Sequence, residues 1–444
     1  MRHFCADPEA FLSDELSGKR ILVLGFGREG RSSFNYLRKH LPDADVSVAD
    51  ANTLLKEELS GCLPEDRILL GPDYMREMTR FDVIMQSPGV CLKDFLPMPD
   101  SVRLTSQTDL FLRMFRDRCI GVTGTKGKST TSSLIHHLLR ESGKEVLFGG
   151  NIGIPLFDLI PQIRPETIVV LELSCHQLEF VHSSPHIALL LNLFEEHLDH
   201  YRDFTAYQQA KYNIAMYQEP GDFFICTATD QLVSGWRRRF PPKAEVRLFG
   251  EGALPEPLCA EQFPLKGEHN RRNAEAALLA VQAADPALTP ERCREALFSF
   301  HALPHRLEPV GCVRGIYFYN DSISTIPQAA VAAVTALKSV DTLILGGMDR
   351  GIDYTPLLPL FKSSPVRNFL FTGAAGRRMM ALDTPAEGKN FLFCEDYGTL
   401  VETAFRLTAP GKVCLLSPAA PSYDAFKNFE ERGEVFKKLV LLHL

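Results

Sequence analysis

Residues 121–131 read GVTGTKGKSTT, and this stretch constrains the chain more than any other. Glycines at 124 and 127 let a loop turn its backbone N–H groups inward around phosphate oxygens, while Lys128 brings a point charge and Ser129 a Mg²⁺ ligand. The spacing departs from the strict G-x-x-x-x-G-K-[ST] loop, because Val122 stands five residues before Gly127 and the leading glycine is Gly121. Its context supports a nucleoside-triphosphate loop all the same. Residues 118–122 end an apolar run that reads as a strand, and residues 129–140 place Leu134, Ile135, Leu138 and Leu139 on one helical stripe. The candidate phosphate contacts are therefore Gly124, Thr125, Lys126, Gly127, Lys128, Ser129 and Thr130.

Three apolar segments surround this loop, as a 444-residue chain requires, since one ordinary core does not grow to that size. The first opens with ILVLGFGREG, a strand at residues 21–24 followed by G-x-G-x-x-G at Gly25, Gly27 and Gly30, and Asp50 closes a second strand. Taken alone, strand, glycine turn, helix and acid form the dinucleotide fingerprint and point to a nicotinamide cofactor. The same turn serves any ligand that must approach a helix N-terminus closely. FDVIMQSPGV then gives a strand at residues 81–85 and a turn at Ser87, Pro88 and Gly89, at the strand end where parallel sheets bind ligands.

The second segment carries TIVVLELS and IALLLNL, continuous apolar runs expected of parallel strands buried on both faces. Glu172 and Ser174 end one, and Asn192, Glu195, Glu196, His197 and Asp199 end or lie just beyond the other. Carboxylate and imidazole beside a triphosphate loop suggest a second Mg²⁺ held by Glu172 and His197, although Mg²⁺ prefers oxygen ligands. The third segment alternates DTLILGG, RNFLFTG and KVCLLSPA with helical stretches. The expected fold is α/β with three domains: residues 1–115, Rossmann-like; 116–308, a central parallel sheet of P-loop ATPase type; and 309–444, Rossmann-like again.

Composition excludes several classes. Hydrophobic residues at 45% and charged residues at 23% are those of a folded globular protein, and a net charge of −7 gives no basic footprint for a nucleic-acid backbone. The first residues, MRHFCADPEAF, lack an apolar core flanked by basic residues, and no apolar run reaches the ~20 residues that span a bilayer, so a cytoplasmic protein without membrane insertion is expected. Eleven cysteines without a C-x-x-C pair read as buried small hydrophobes; Cys175, beside an acidic strand end, is the one of interest.

GVTGTKGKST, GGNIG, LELSCHQLE, LNLFEEHLDHY, the AYQQAKYNIA helix, GEHNRRNAEAA, LPHRLE and NDSISTIP occur in one order across the chain. Together they resemble the Mur ligases, and the tail SPAAPSYDAFKNFEERG resembles the members that add glutamate. The resemblance implies an ATP-dependent ligase, acting as a monomer in peptidoglycan precursor synthesis, that joins glutamate to the alanyl carboxylate of UDP-N-acetylmuramoyl-L-alanine through an acyl phosphate. It implies that Lys211 is carbamylated and, with His197, serves a second Mg²⁺, while Ser129 and Glu172 face the first. Lys128, Lys211 and His197 then carry the chemistry. Asn270, Arg306 and Asp321 match nucleotide-holding positions. The glycine fingerprint becomes a UDP site, with Gly25, Phe26, Gly27, Asp50, Ser87, Pro88 and Gly89, and with Asn151 and Ser174 beside the substrate and metal. Thr325, Arg350, Ser422 and Phe429 match the glutamate pocket.

This chain departs from the familiar pattern at Ile323 and Arg350, where members often carry lysine. Arg350 can grip a carboxylate bidentately, so glutamate stays the expected amino acid, with D-glutamate ahead of L-glutamate. A folylpolyglutamate synthase shares the ATP core but lacks the N-terminal UDP-type domain suggested by GFGREG and SPGV. A nicotinamide oxidoreductase or a non-catalytic nucleotide switch leaves most of the motifs without a role. Closure of the domains over a water-sensitive intermediate places an expected hinge at residues 303–310.

Overall fold

The computed structural model describes all residues except 1–4, 198–199, 261–262, 266, 302–303 and 338. The chain is α/β and builds three sheets. Strands β1 (Arg20–Leu24), β2 (Asp45–Asp50), β3 (Ile68–Leu70), β4 (Val83–Gln86) and β5 (Arg103–Thr105) form the first, in the order 3-2-1-4-5 and wholly parallel. The order reverses between β1 and β4, which is where open parallel sheets leave a crevice for ligands. The Gly25 turn and the Ser87 turn leave the ends of these two strands.

Strands β6 (Cys119–Thr123), β7 (Val146–Gly150), β8 (Ile168–Glu172), β9 (Ile187–Leu190), β10 (Phe223–Thr227) and β11 (Glu245–Phe249) form the second sheet, also parallel, in the order 11-10-9-6-8-7. β6, β8 and β9 are the apolar runs expected of strands covered on both faces. β6 lies between β9 and β8 with Val122 opposite Glu172, so the loop after β6 emerges beside the carboxylate that ends β8.

The third sheet comprises β12 (Glu308–Val313), β13 (Ile316–Asn320), β14 (Val340–Gly346), β15 (Asn368–Thr372), β16 (Asn390–Phe393) and β17 (Val413–Leu416), ordered 12-13-17-14-15-16. Only β12 is antiparallel, paired to β13 with an irregular register between Pro309 and Gly311. Proline and irregular pairing belong on an edge strand, which is where β12 lies.

Contacts divide the chain into two compact units, residues 1–262 with 271–300, and residues 263–270 with 301–444. Within the first unit the two parallel sheets share one apolar core that includes Leu37, Phe111, Phe157, Leu171 and Phe224. Polar ties reinforce it: Arg28 Nη1 donates to the Gly153 carbonyl at 3.0 Å, and Ser32 Oγ to Asp158 at 2.7 Å. Phe115, near the expected first border, is buried in that core. The third sheet has separate apolar clusters around Leu343 and Phe371 and around Phe318 and Phe436. Of the expected hinge, residue 303 lies outside the described residues, and His305 is buried against Asn320, whose Nδ2 is 2.9 Å from His305 Nδ1.

Candidate active site

The loop after β6 is shaped by its backbone. Gly127 has φ +87° and caps the helix Lys128–Glu141, whose Leu134, Ile135, Leu138 and Leu139 are buried as the sequence stripe requires. A side chain at Gly127 would be strained, and its Cβ would fall 2.6 Å from Asn273 Oδ1. Asn273 therefore lies against the loop from the helix Glu268–Ala284, which also carries Asn270 three residues away on the same face. Asn192, just past β9, holds the loop from the other side. Its carbonyl accepts from Thr125 N at 3.1 Å, and its Oδ1 from Lys126 N at 2.8 Å. Thr125 Oγ1 lies 2.8 Å from the hydroxyl of Tyr207, a fully buried residue. Lys126 pairs with Glu196, while Ser129 is half-buried and Thr130 buried at the start of the helix.

Two lysines converge on this loop. Lys211, on the helix Phe204–Met216, is 2% exposed and donates to the Gly124 carbonyl at 2.9 Å. Lys128 donates to the same carbonyl at 2.9 Å and to that of Thr125 at 3.1 Å. Burial, with the Lys128 charge beside it, pushes the Lys211 amine down to about 7; burial lowers Lys128 too. An appreciable share of Lys211 is consequently neutral near physiological pH, which is the form that reacts with CO₂.

Glu172 closes the opposite side. Its Oε1 accepts from Asn151 Nδ2 at 2.6 Å, but its buried Oε2 has no hydrogen-bond partner among the described residues. An orphaned buried carboxylate oxygen is costly unless a cation meets it, so Glu172, ending the strand that pairs with β6 beside the loop, fits a hard cation such as Mg²⁺. His197 adopts φ +58° and presents a half-exposed ring, 6.1 Å from the Tyr207 ring and 4.8 Å from that of His176. Ser174 does not extend β8. It caps the helix Cys175–Leu178 in a capping box with Gln177, a local role that its position after an acidic strand end did not announce. Cys175 is buried.

In the first sheet, the Cβ of any residue at position 30 would lie 2.0 Å from the Gly25 carbonyl, so the helix Arg28–His40 packs on the turn only with glycine there. Asp50 ends β2 beside the glycine turn. Its Oδ2 accepts from Phe26 N at 2.6 Å and its Oδ1 from Asn52 N at 2.7 Å, fastening the glycine turn. Ser87 Oγ donates to the Gly25 carbonyl at 2.7 Å. Gly27, at the N-cap, and Gly89 have open space where a side chain would be, and Pro88 is half-buried between Ser87 and Gly89.

The second unit gathers the remaining candidates. Asp321 follows β13 and accepts from Ser417 Oγ at 2.8 Å, from Leu307 N at 3.1 Å and from Ser324 Oγ; burial nevertheless raises it to about 6. Arg306, half-buried, precedes Leu307 in the same turn. Ser322 Oγ donates to the Phe429 carbonyl at 2.8 Å and receives Arg432 Nε at 2.9 Å, which ties the Asp321 segment to the helix Phe429–Leu441. Arg350 is exposed, its guanidinium 5.8 Å from the centre of the Tyr423 ring, next to buried Ser422. Thr325 and Ile323 are half-buried in the turn before the helix Pro327–Leu337.

Sequence reading missed Tyr207 and Gln177. Tyr207 is four residues before Lys211 on one helix face, a spacing that was available as a signal. Gln177 completes a local S-x-x-Q capping signature with Ser174, which was readable, whereas its 3.1 Å bond to Glu29 joins residues far apart in the chain and left no signal.

Residues 122–263 match the Mur ligase middle domain. The UDP-N-acetylmuramoylalanine–D-glutamate ligase of Symbiobacterium thermophilum is 36% identical over 398 residues, spanning 84% of this chain and 87% of that protein. The UDP-N-acetylmuramoyl-L-alanine–L-glutamate ligase of Salinispora tropica is 35% identical over 453 residues, spanning 97% and 98%. Among solved structures, the MurF ligase of Thermotoga maritima in complex with ADP aligns with a TM-score of 0.58 at 17% identity, over 100% of this chain and 99% of that one, a likeness of fold.

Proposed function

Because the chain belongs to the Mur ligase family, we propose that it joins D-glutamate to UDP-N-acetylmuramoyl-L-alanine with hydrolysis of ATP to ADP and phosphate, in the cytoplasm and as a monomer. The observation that carries this reading is the placement of Lys211. A buried, partly neutral amine on the wall of the phosphate loop has no use in a simple nucleotide switch, whereas as a carbamate it becomes an anion facing Lys128.

In this reading the alanyl carboxylate attacks the γ-phosphorus, ADP leaves, and the glutamate amine displaces phosphate from the resulting acyl phosphate. Such a transfer asks for positioning and charge neutralisation more than for covalent help from the protein. The loop from Gly124 to Thr130 cradles the phosphates through backbone N–H groups, and Lys128 exchanges loop carbonyls for a phosphate oxygen. Ser129 and Glu172 would hold one Mg²⁺ and His197 with carbamylated Lys211 a second; bound there, the ions neutralise charge on the transferring phosphoryl group. Asn151 orients Glu172 through its 2.6 Å bond. Gly25, Phe26, Gly27, Ser87, Pro88 and Gly89 receive the UDP moiety at the first sheet's crevice, with Asp50 bracing the turn and Ser174 fixing the segment after β8. Asn270, Arg306 and Asp321 hold the nucleotide base and ribose, and Thr325, Arg350, Ser422 and Phe429 the glutamate.

L-glutamate is a second reading, favoured by the Salinispora relative and by Ile323 and Arg350 in place of lysines. The test is phosphate release and product mass with ATP, Mg²⁺ and UDP-N-acetylmuramoyl-L-alanine, comparing the two glutamate enantiomers. Turnover only with D-glutamate upholds the first reading, turnover only with L-glutamate the second, and silence with both overturns the acceptor assignment.

A further inference from the structure

Beside His197, three side chains that the ligase reading does not use face one another. His176 lies on the helix Cys175–Leu178, Glu179 is its C-cap three residues on, and His200 enters from the loop after β9. One ligand atom from each lies within 4.8 Å of the other two. His200 Nε2 is 3.1 Å from Glu179 Oε2, and the His176 and His200 rings are 4.1 Å apart between centroids. All three residues are half-buried.

From this juxtaposition we infer that His176, Glu179 and His200 form a binding site for a borderline transition-metal ion, Zn²⁺ being the type, distinct from the Mg²⁺ positions of the phosphate site. Two imidazoles and one carboxylate are a donor set that Zn²⁺ takes in tetrahedral geometry while keeping a fourth position open. The same donors suit Mg²⁺ poorly, because it selects oxygen in a near-ideal octahedron. Zn–ligand distances of ~2.0–2.2 Å place tetrahedral donors roughly 3.3 Å apart, so the His200–Glu179 pair is already at coordinating separation and a turn of the His176 ring completes the set. The Tyr201 hydroxyl, 3.4 Å from His176 Nδ1, supplies the contact that orients a metal-bound imidazole when Nε2 coordinates. A rival triad of Cys175, His176 and His197 shares one ligand with this one and would bring a thiolate. The Glu179 set prevails because two of its donors already stand at metal spacing. The site does not depend on what the enzyme ligates.

The full-length protein in excess Mg²⁺ is titrated calorimetrically with Zn²⁺ and spectroscopically with Co²⁺, alongside Glu179→Gln, His200→Gln, Cys175→Ser and His197→Gln variants whose circular dichroism matches the parent. Expected are one equivalent of Zn²⁺, affinity reduced about tenfold or more by Glu179→Gln and by His200→Gln but not by the other two, and visible Co²⁺ bands without a sulfur-to-cobalt charge-transfer band. Absence of Zn²⁺ binding above the Mg²⁺ background overturns the proposal. So does binding that follows Cys175 or His197, or that survives both Glu179→Gln and His200→Gln.

Discussion

Lys211 and Lys128 share one acceptor: each ammonium donates to the Gly124 carbonyl at 2.9 Å. Two cations on one oxygen make the loop costly to keep fully protonated. Lys211 titrates near 7 in the fold and near 10.5 when unfolded, so between those values the unfolded chain binds the additional proton and stability rises with pH. Chemical unfolding of the ligand-free protein in CO₂-depleted buffer should show a contribution of up to ~1.4 kcal/mol per pH unit in this window, absent in Lys211→Met. The variant Lys211→Ala should still bind nucleotide but lose ligation; near-normal turnover would remove the carbamate from the mechanism.

Gly127→Ala introduces a Cβ in a left-handed backbone, 2.6 Å from Asn273 Oδ1. The conformational term alone is about 1–2 kcal/mol, and the loop must shift to relieve the contact. ATP affinity measured by calorimetry should fall roughly tenfold or more. Adding Asn273→Ala should recover part of the loss if the clash is its cause.

Arg350 is the exposed cation beside Ser422 and Tyr423. If it grips the incoming amino acid, Arg350→Ala raises the KM for glutamate by roughly ten- to a hundredfold, the ~1.5–3 kcal/mol of a charged hydrogen bond, and leaves the KM for ATP in place. Equal changes in both constants would point to a general loss of structure. Arg350→Lys tests whether the planar fork matters.

Asp321 titrates near 6, above the usual 3.8, because burial outweighs its three hydrogen bonds. The folded state keeps the proton through that interval, so this group's contribution to stability declines as pH rises from about 4 to 6, by up to ~1.4 kcal/mol per unit. Unfolding curves across the interval should lose that slope in Asp321→Asn.

Legibility followed chain locality. The phosphate loop could be read because its glycines, lysine and flanking apolar runs are contiguous. β8, β9, β14 and β15 stood out because burial on both faces leaves continuous apolar runs. The β12–β13 hairpin did not: EPVGCV mixes proline and glycine with residues exposed along a sheet edge, and neither period dominates. Asp50 illustrates a different limit. Sequence placed an acid at the end of β2 correctly, but whether its oxygens face a ligand or the N–H of Phe26 depends on the turn geometry. His176, Glu179 and His200 could not be grouped from spacing, since the two histidines come from opposite sides of β9.

The core shared by the first two sheets has a mechanical consequence. Leu37 and Phe157 belong to the same packed mass as Leu171 and Phe224, so the Gly25 turn and the Gly124 loop are mounted on one rigid frame. Their separation is a gauge length fixed when the chain folds, and a molecule seated at both ends is measured against it. For the proposed acceptor, a chain one residue too long or too short would leave the nucleotide seated at the Gly25 turn and set the carboxylate at the wrong place on the scale.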